Sequence, residues 1–423
     1  MKQGTICIQG CGRPKEGEPR QVPIVQSTTF RYDSSDAMGK LFNLEAAGYF
    51  YSRLCNPTND SVARKITALE GGTAGLLTSS GQAAIFYALF NLANAGDHIV
   101  ASSTIYGGAY NLIATTMKKM GVDVTFIEPD WSDDQINAAF RPNTKVFYGE
   151  TLANPALVVL DLERFAKIAH SRGVPVVVDN TFPTPINCRP FEWGVDISIH
   201  STSKYLDGHA AAVGGAIVDS GNFDWVAHKD KFPGLTEPDP SYHGLVYTER
   251  FGQGGAYITK IVAQLMRDIG AQPGPLNSFI LNLGLESLHL RVKRHSESAQ
   301  TIAEWLEKHP RVAWVNYPGL KSSKYYDLAQ KYLPNGCSGV LTFGLKDGRD
   351  GAHAAMAKFQ RIYIATHVAD AQSSVLNPAN TTHRQLTDAE LLEAGVTPDM
   401  IRLSVGLEDT EDLIQDLETA LAQ

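Results

Sequence analysis

The 423-residue sequence has little of what marks membrane, secreted or nucleic-acid-binding proteins. It contains no run of about eighteen apolar residues, which argues against a membrane-spanning helix. The amino-terminal segment lacks an apolar core long enough for a secretory signal. Positive charge is not concentrated in any run, and the net charge of −8 argues against a nucleic-acid-binding surface. We therefore expect neither a membrane nor a nucleic acid as partner.

Cysteine is scarce, with five residues scattered along the chain: Cys7, Cys11, Cys55, Cys188 and Cys337. An odd, dispersed set in a large acidic protein is typical of reduced thiols, so we expect a cytoplasmic protein. Cys7 and Cys11 are close in sequence, but no second Cys or His pair completes a zinc site. The sequence therefore predicts no metal site.

The length permits a large core and more than one domain. Residues 1–60 show little helical periodicity, apart from a β-rich patch from Val25 to Tyr32, and are predicted to form an arm that contacts a partner subunit. Strands and helices alternate over residues 61–281, which predicts a mostly parallel sheet covered by helices. Residues 282–423 are predicted to form a smaller carboxy-terminal domain. Residues near 222–275, rich in Pro, Gly and Asp, are predicted to be a long surface loop inserted in the large domain.

The stretch from Ile197 to Gly215, ISIHSTSKYLDGHAAAVGG, concentrates the chemistry of the chain. It predicts a short apolar strand that ends in hydroxyl side chains and one lysine, Lys204. Ser201 and Ser203 stand beside this lysine, and small hydroxyl groups at a strand end suit an anion such as phosphate. A lysine among apolar neighbours can lose its proton and act as an amine nucleophile. Taken alone, such a lysine is more often a solvated residue at the start of a helix.

A second stretch, from Pro175 to Pro185, supplies an acid. Val176 to Val178 form an apolar run typical of a strand buried on both faces, and Asp179 follows where that strand ends. Ligands of open parallel sheets bind at the carboxyl ends of the strands. A lysine for the aldehyde and a carboxylate facing the pyridine nitrogen are what pyridoxal 5'-phosphate requires. An isolated Asp after a strand is otherwise commonly a turn or helix-capping residue.

From about Gly4 to Leu417 the chain resembles the cysteine/methionine-metabolism family of pyridoxal-phosphate enzymes. This family includes cystathionine synthases and lyases, methionine γ-lyases and O-acetylhomoserine sulfhydrylases. Six motifs carry the resemblance: YSRLCNPT from Tyr51, SSGQAA from Ser79, YGGAYN from Tyr106, VVVDNTF from Val176, HSTSKYLDGH from His200 and IRLSVGLE from Ile401. The resemblance implies the α/β fold of fold-type-I pyridoxal-phosphate transferases, with a mostly parallel sheet covered by helices and a smaller α/β carboxy-terminal domain.

The resemblance also implies roles for particular residues. Lys204, Tyr106 and Asp179 are the implied catalytic residues, with Tyr106 stacked on the ring of the cofactor. The further implied cofactor-binding residues are Ser80, Gly81, Gln82, Asn154, Ser201 and Ser203. Glu150 is implied to support the site, and Ser373 and Arg402 to bind the substrate α-carboxylate. Tyr51 and Arg53 are implied to reach the cofactor phosphate in a neighbouring subunit, which implies self-association as a dimer of dimers.

Some features of the sequence indicate which branch of the family the chain resembles. The segment near residues 222–275 resembles an insertion of the sulfhydrylase branch, and Gln82 also resembles that branch. Gly108 stands where many methionine γ-lyases carry a cysteine. The loop from Ala369 to His383 departs from the family pattern on the substrate side, at Ala369, Ser374, Asn377 and Asn380.

The resemblance implies a γ-replacement on the amino acid O-acetylhomoserine by sulfide or a small thiol, which gives homocysteine (or methionine) and acetate. Lys204 is expected to take the α-proton and to shuttle protons while acetate leaves. Two alternatives stay open. The chain could be a methionine or homocysteine γ-lyase, or a catalytically silent protein that only binds pyridoxal phosphate.

Overall fold

The computed structural model describes residues 1–381, 384, 387, 391 and 395–422. Two sheets organise the fold, one of seven strands and one of five. The strands are β1 Ala74–Thr78, β2 His98–Ser102, β3 Asp123–Ile127, β4 Thr144–Glu150, β5 Val176–Asp179, β6 Ile197–Ser201, β7 Gly215–Asp219, β8 Val312–Asn316, β9 Val340–Leu345, β10 Tyr363–Ile364, β11 Ser374–Leu376 and β12 Met400–Ser404.

The larger sheet has the strand order β1-β7-β6-β5-β4-β2-β3. Strand β7 is antiparallel to both of its neighbours, whereas β6, β5, β4, β2 and β3 are parallel. Both faces are covered, because Val176 and Val178 pack into one apolar cluster and Val177 into another. A continuous apolar run is the pattern expected of such a doubly buried strand. The mostly parallel, covered sheet predicted from the sequence is confirmed.

The smaller sheet has the order β10-β11-β12-β9-β8 and is antiparallel apart from the pair β10 and β11. A 32-residue helix, Pro275–Leu306, links the two sheets by packing on helix Pro57–Glu70 and on strands β8 and β9. The domain boundary predicted between residues 281 and 282 falls inside this helix. The division into domains stays a prediction.

Helices fill the connections between the strands. Their α-helical spans are Gln3–Gln9, Ser35–Phe42, Pro57–Glu70, Gly81–Phe90, Gly107–Asn111, Asp133–Ala139, Leu162–Ser171, Thr184–Asn187, Pro233–Thr236, Tyr247–Phe251, Gln253–Lys260, Arg267–Ile269, Pro275–Leu306, Tyr326–Tyr332, Gly348–Met356 and Thr410–Leu421. Leu112–Met117 and Ile261–Met266 are π-helical, and Pro190–Trp193, Pro240–Tyr242 and Pro378–Asn380 are 3₁₀ turns. Over the described part of the chain, no helix is both long and apolar enough to span a membrane.

Two segments expected to be irregular contain regular structure. The amino-terminal arm includes helices Gln3–Gln9 and Ser35–Phe42, and its predicted β-rich patch forms only an isolated bridge between Thr29 and Tyr51. The prediction of a long surface loop near residues 222–275 is wrong for much of that segment. Short helices run through it, and the buried side chains of Trp225 and Tyr257 anchor it in the core. Proline here starts helices at their first turn instead of ending them.

Candidate active site

Four chemically distinctive residues gather at one edge of the larger sheet. Because β2, β4, β5 and β6 are parallel, their carboxyl ends meet at the same edge, where ligands of such sheets bind. Tyr106 follows β2, Glu150 ends β4, Asp179 ends β5 and Lys204 follows β6. Asp179 and Lys204 therefore follow neighbouring strands at the same edge of the sheet.

Glu150 is buried at this edge and accepts hydrogen bonds from two backbone N–H groups. Its Oε1 accepts the Tyr106 N–H at 2.6 Å, and its Oε2 accepts the Asn154 N–H at 3.1 Å. Burial raises the pKa of Glu150 well above its usual range, and the nearby Asp179 carboxylate raises it further. One carboxyl group thus fixes the backbone of both Tyr106 and Asn154.

Asp179 pairs in register with Glu150 on the neighbouring strand. Its Oδ1 accepts the Thr181 N–H at 2.8 Å. Burial raises the pKa of Asp179, whereas the hydrogen bond from Thr181 and the charge of His200 lower it. On the opposite face, the buried His200 ring contacts Glu70 at 2.5 Å. A carboxylate placed here can hold a cationic ring nitrogen, because Thr181 is its only hydrogen-bond donor among the described residues.

Lys204 lies next to a histidine that the sequence analysis missed. The Nζ of Lys204 is 3.3 Å from Nδ1 of His367, and the Nε2 of His367 is 3.5 Å from Oδ2 of Asp370. Burial and the nearby Arg402 guanidinium lower the pKa of Lys204. A lowered pKa increases the fraction of free amine, which is the nucleophilic form. No motif pointed to His367, because it is 163 residues away from Lys204 in the chain.

Arg402 lies on β12 of the smaller sheet and reaches the same site. It donates from Nη1 to Asn154 Oδ1 at 3.2 Å and from Nη2 to Thr366 O at 3.1 Å. Burial lowers its pKa to about 10. Its Nε has no hydrogen-bond partner among the described residues and is free to donate to an added carboxylate. A buried donor without a partner is costly, which favours a ligand role for this arginine.

Ser373, the second residue expected to bind substrate, is fully engaged within the chain. Its N–H donates to Glu408 Oε1 at 2.7 Å and its hydroxyl donates to Oε2 at 2.8 Å. The Gly406 N–H donates to the same hydroxyl at 2.8 Å. In this arrangement the Ser373 backbone has no free donor for a substrate carboxylate. The expected contact stays a prediction, and it requires Glu408 to release Ser373.

The loop that departs from the family pattern shows one backbone consequence. Ala369 has a φ of 67°, in the left-handed region that favours glycine. It is held there by a hydrogen bond from its N–H to Ser404 Oγ at 2.7 Å. Ser374 donates to the His367 carbonyl at 2.8 Å. Thr382 and His383, at the end of the predicted loop, lie outside the described residues.

A cradle suited to a phosphate lies beside these groups. Ser80 caps helix Gly81–Phe90 by accepting the Ala83 N–H, and the helix begins against β6. A Cβ atom at Gly81 would lie 2.8 Å from Cβ of Ser201, so only glycine permits this approach. Free N–H groups at a helix start bind phosphate well. The Ser203 hydroxyl already accepts one hydrogen bond within the chain, from the Gly214 N–H at 3.0 Å.

The expected ring partner lies next to this cradle. Gln82 donates to the Gly108 carbonyl at 2.9 Å. A Cβ atom at Gly108 would come within 2.5 Å of the Tyr106 ring, so a side chain there would displace that ring. Tyr106 itself is about half exposed, so its side chain is accessible to a ligand.

Tyr51 and Arg53 are not brought to this cluster within one chain. The Arg53 guanidinium lies 5.3 Å from the centre of the Tyr51 ring and donates to the Arg267 carbonyl. Both residues are exposed in the single chain. Their predicted role at a neighbouring subunit's site is compatible with this exposure and stays a prediction.

The lysine with a lowered pKa, the buried carboxylates and the helix start are the groups expected of an enzyme that binds a cofactor through a lysine. The family model described as Cys/Met metabolism PLP-dependent enzyme matches residues 4–422. The chain belongs to this family, as the sequence motifs predicted, and its cofactor is pyridoxal phosphate.

Relatives match along almost the whole chain. Homocysteine synthase of Schizosaccharomyces pombe is 45% identical over 403 residues, covering 95% of this chain and 94% of the relative. O-acetyl-L-homoserine sulfhydrylase of Leptospira meyeri is 44% identical over 431 residues, covering 100% of this chain and 97% of the relative. A crystal structure of a Campylobacter jejuni protein assigned as an O-acetylhomoserine (thiol)-lyase superposes with a TM-score of 0.96 at 37% identity, covering 100% of both chains. That protein carries N'-pyridoxyl-lysine-5'-monophosphate.

The residues present fit pyridoxal phosphate. The close approach of Gly81 to Ser201 forms a cradle that a larger side chain would fill, and Lys204 comes shortly after Ser201 in the chain. Asp179 offers a carboxylate from the strand between those of Glu150 and Ser201. The donors and acceptors required for phosphate, aldehyde and ring nitrogen are thus all at one sheet edge.

Proposed function

We propose that this chain is an O-acetylhomoserine sulfhydrylase, which replaces the acetate of O-acetylhomoserine with sulfide or a small thiol to give homocysteine or methionine. The observation that carries the proposal is the match, over nearly the full length of each chain, to relatives named homocysteine synthase and O-acetyl-L-homoserine sulfhydrylase at 44–45% identity. The site supports it, because a buried arginine and an amine of lowered pKa face the same space.

The residues at the sheet edge have different roles in this reaction. Bound pyridoxal phosphate supplies an electron sink for the carbons next to the substrate amine. We assign Asp179 to hold the proton on the ring nitrogen, because its buried carboxylate ends the strand next to Glu150 and, among the described residues, accepts hydrogen bonds from Thr181 alone. Lys204 binds the aldehyde and afterwards takes and returns substrate protons at Nζ. Arg402 binds the substrate α-carboxylate through its free Nε.

Several residues orient these groups. Glu150 holds Tyr106 and Asn154 through their backbone N–H groups, and Asn154 in turn holds Arg402. A change at Glu150 would therefore move the ring partner and the carboxylate-binding arginine together. We assign the helix start at Ser80 and Gly81, together with Gln82, Ser201 and Ser203, to the phosphate side of the cofactor.

We further propose that the chain self-associates as a dimer of dimers and works in the cytoplasm. The exposed pair Tyr51 and Arg53 supports the first proposal, because a planar guanidinium that can donate two parallel bonds suits a phosphate in a partner's site. Five cysteines, none of them in a disulfide, suit a reducing compartment.

Product analysis tests the proposed activity. O-acetylhomoserine should give homocysteine and acetate when sulfide is present, and little of either when sulfide is absent, with both separated by chromatography. The variant Lys204→Ala should form neither product. Release of 2-oxobutyrate and ammonia independent of sulfide would replace the proposal with a γ-lyase. Cofactor binding without any product would favour a catalytically silent protein.

A further inference from the structure

The contact between Lys204 and His367 bears on how two protons are removed from the substrate during γ-replacement. Release of acetate from the γ-carbon requires one hydrogen at the α-carbon and one at the β-carbon to leave as protons. The Nζ of Lys204 has a single lone pair, so it can take the second proton only after it has passed on the first. We propose that His367 is the acid/base residue that takes this proton from Lys204, an inference that rests on the proposed function.

The geometry places the two nitrogen atoms for a direct transfer. Nδ1 of His367 lies 3.3 Å from Nζ of Lys204. On the other side of the imidazole ring, Nε2 lies 3.5 Å from Oδ2 of Asp370. A carboxylate next to Nε2 favours a proton on that nitrogen, which leaves the lone pair of Nδ1 directed at the lysine. His367 is thus prepared to accept from Lys204.

The segment that carries His367 is joined to the lysine segment by a backbone hydrogen bond, and each segment has a further hydrogen bond of its own. The Ala371 N–H donates to the Gly208 carbonyl at 2.9 Å, and the Gly208 N–H donates to the Lys204 carbonyl at 2.7 Å. Ser374 donates to the His367 carbonyl at 2.8 Å. These hydrogen bonds hold the backbone around His367 beside the lysine segment.

The charged groups around Lys204 and His367 favour reversible proton transfer between these two residues. Burial, the Lys204 ammonium and the Arg402 guanidinium lower the pKa of His367, whereas Asp370 and Asp207 raise it. Burial and Arg402 also lower the pKa of Lys204. In water the pKa values of lysine and histidine differ by about four units. Both pKa values are lowered in this site. Asp370 stabilises the imidazolium that the transfer creates.

The proton step conserves atoms and charge. One N–H bond of the Lys204 ammonium breaks, its electron pair stays on Nζ, and an N–H bond forms at Nδ1 of His367. Lys204 becomes a neutral amine able to take the β-proton, and the positive charge moves to the imidazole ring beside Asp370. After the thiol has added, the same bond changes in reverse return the proton to Lys204.

Histidine tautomers in the holoenzyme give a test that does not depend on turnover. With ¹⁵N-labelled histidine, the His367 signal is assigned by its loss in His367→Gln. We expect a neutral ring with Nδ1 unprotonated and Nε2 protonated near neutral pH. A neutral ring protonated at Nδ1 could not accept from Lys204 and would overturn the inference.

Hydrogen exchange separates the two proton steps. L-norvaline, an amino acid without a γ-leaving group, is incubated with holoenzyme in D₂O and followed by ¹H NMR. Wild-type enzyme should exchange both the α- and β-hydrogens. In His367→Gln we expect α-exchange within about threefold of wild type and β-exchange lower by about 100-fold, the lower range for acid/base residues. His353→Gln, an exposed histidine of helix Gly348–Met356, should match wild type.

The outcomes of the exchange experiment are distinct. Retained β-exchange in His367→Gln, a parallel loss of both exchanges, or no β-exchange in the wild type would each overturn the role of His367. Homocysteine formation by the wild type is measured on the same preparation. Its failure would refute the sulfhydrylase proposal and leave the role of His367 to be decided by the exchange pattern alone.

Discussion

Glu150 and Asp179 lie side by side on neighbouring parallel strands, paired in register at the edge where the site is built. Burial raises the pKa of both carboxyl groups, and the charge of Asp179 raises that of Glu150 further. Glu150 is held by two backbone N–H groups, whereas Asp179 accepts hydrogen bonds, within the described parts of the chain, from Thr181 alone. Asp179 is therefore the carboxylate with capacity left for a cationic ring nitrogen.

Asp179→Asn should retain pyridoxal phosphate but lose turnover by several orders of magnitude. The amide keeps the shape and the Thr181 contact but removes the charge that favours a protonated ring nitrogen. Absorbance of the bound cofactor and steady-state homocysteine formation measure the two effects separately. Turnover near that of the wild type would show that another group protonates the ring.

Lys204 should be the lysine that carries the cofactor. Borohydride reduction of the holoenzyme, followed by peptide mapping, should place the label on the peptide that contains Lys204. The visible absorbance of the lysine-bound cofactor should disappear at the same time. Lys65 is a matched control, because it is also buried but donates to Asn282. A label on any lysine other than Lys204 would contradict the assignment.

Mixtures of two inactive variants should regain activity if the site is shared between subunits. Lys204→Ala removes the amine of one site, and Arg53→Ala removes the group that we assign to the partner's phosphate. A mixed dimer then has one site with both residues intact. Activity is measured after subunit exchange has been verified by mass spectrometry of the mixture. Mixtures that exchange but stay inactive would mean that Arg53 serves its own chain.

Asp219 should make the fold less stable as pH rises. Burial raises its pKa to about 7, from an unfolded value of about 4, while the Gly221 N–H lowers it. The folded state binds the proton more tightly, so this contribution to stability is complete below about pH 4 and is lost as pH rises to about 7. Between pH 5 and pH 8, wild type should lose about 3 kcal/mol relative to Asp219→Asn, since about two pH units of the loss, at about 1.4 kcal/mol per unit, lie in this range.

Urea unfolding of both proteins at the two pH values measures this difference. The comparison removes any cost of the amide that is independent of pH. An equal change in the wild type and in Asp219→Asn would show that Asp219 is ionised with an ordinary pKa in the folded protein.

The sequence predicted those parts of the site that depend on local pattern. Asp179 and Lys204 follow apolar strands, and the ends of parallel strands meet at one edge, so their convergence follows from the order of the strands. His367 and Glu408 were missed, because their contacts depend on how the segment before β11 folds back on the lysine segment. The helices near residues 222–275 were missed because proline and glycine there start and end short helices around buried aromatic anchors such as Trp225.

The comparison of two rates tests the sulfhydrylase proposal most directly. The rate of homocysteine formation from O-acetylhomoserine and sulfide is measured beside the rate of 2-oxobutyrate release from methionine, with the same enzyme preparation. A site that excludes water protects the reacting substrate for capture by the thiol. We predict fast homocysteine formation and slow release of 2-oxobutyrate. Release of 2-oxobutyrate and methanethiol from methionine at a rate equal to or above the sulfide-dependent reaction would contradict the proposal and identify a γ-lyase.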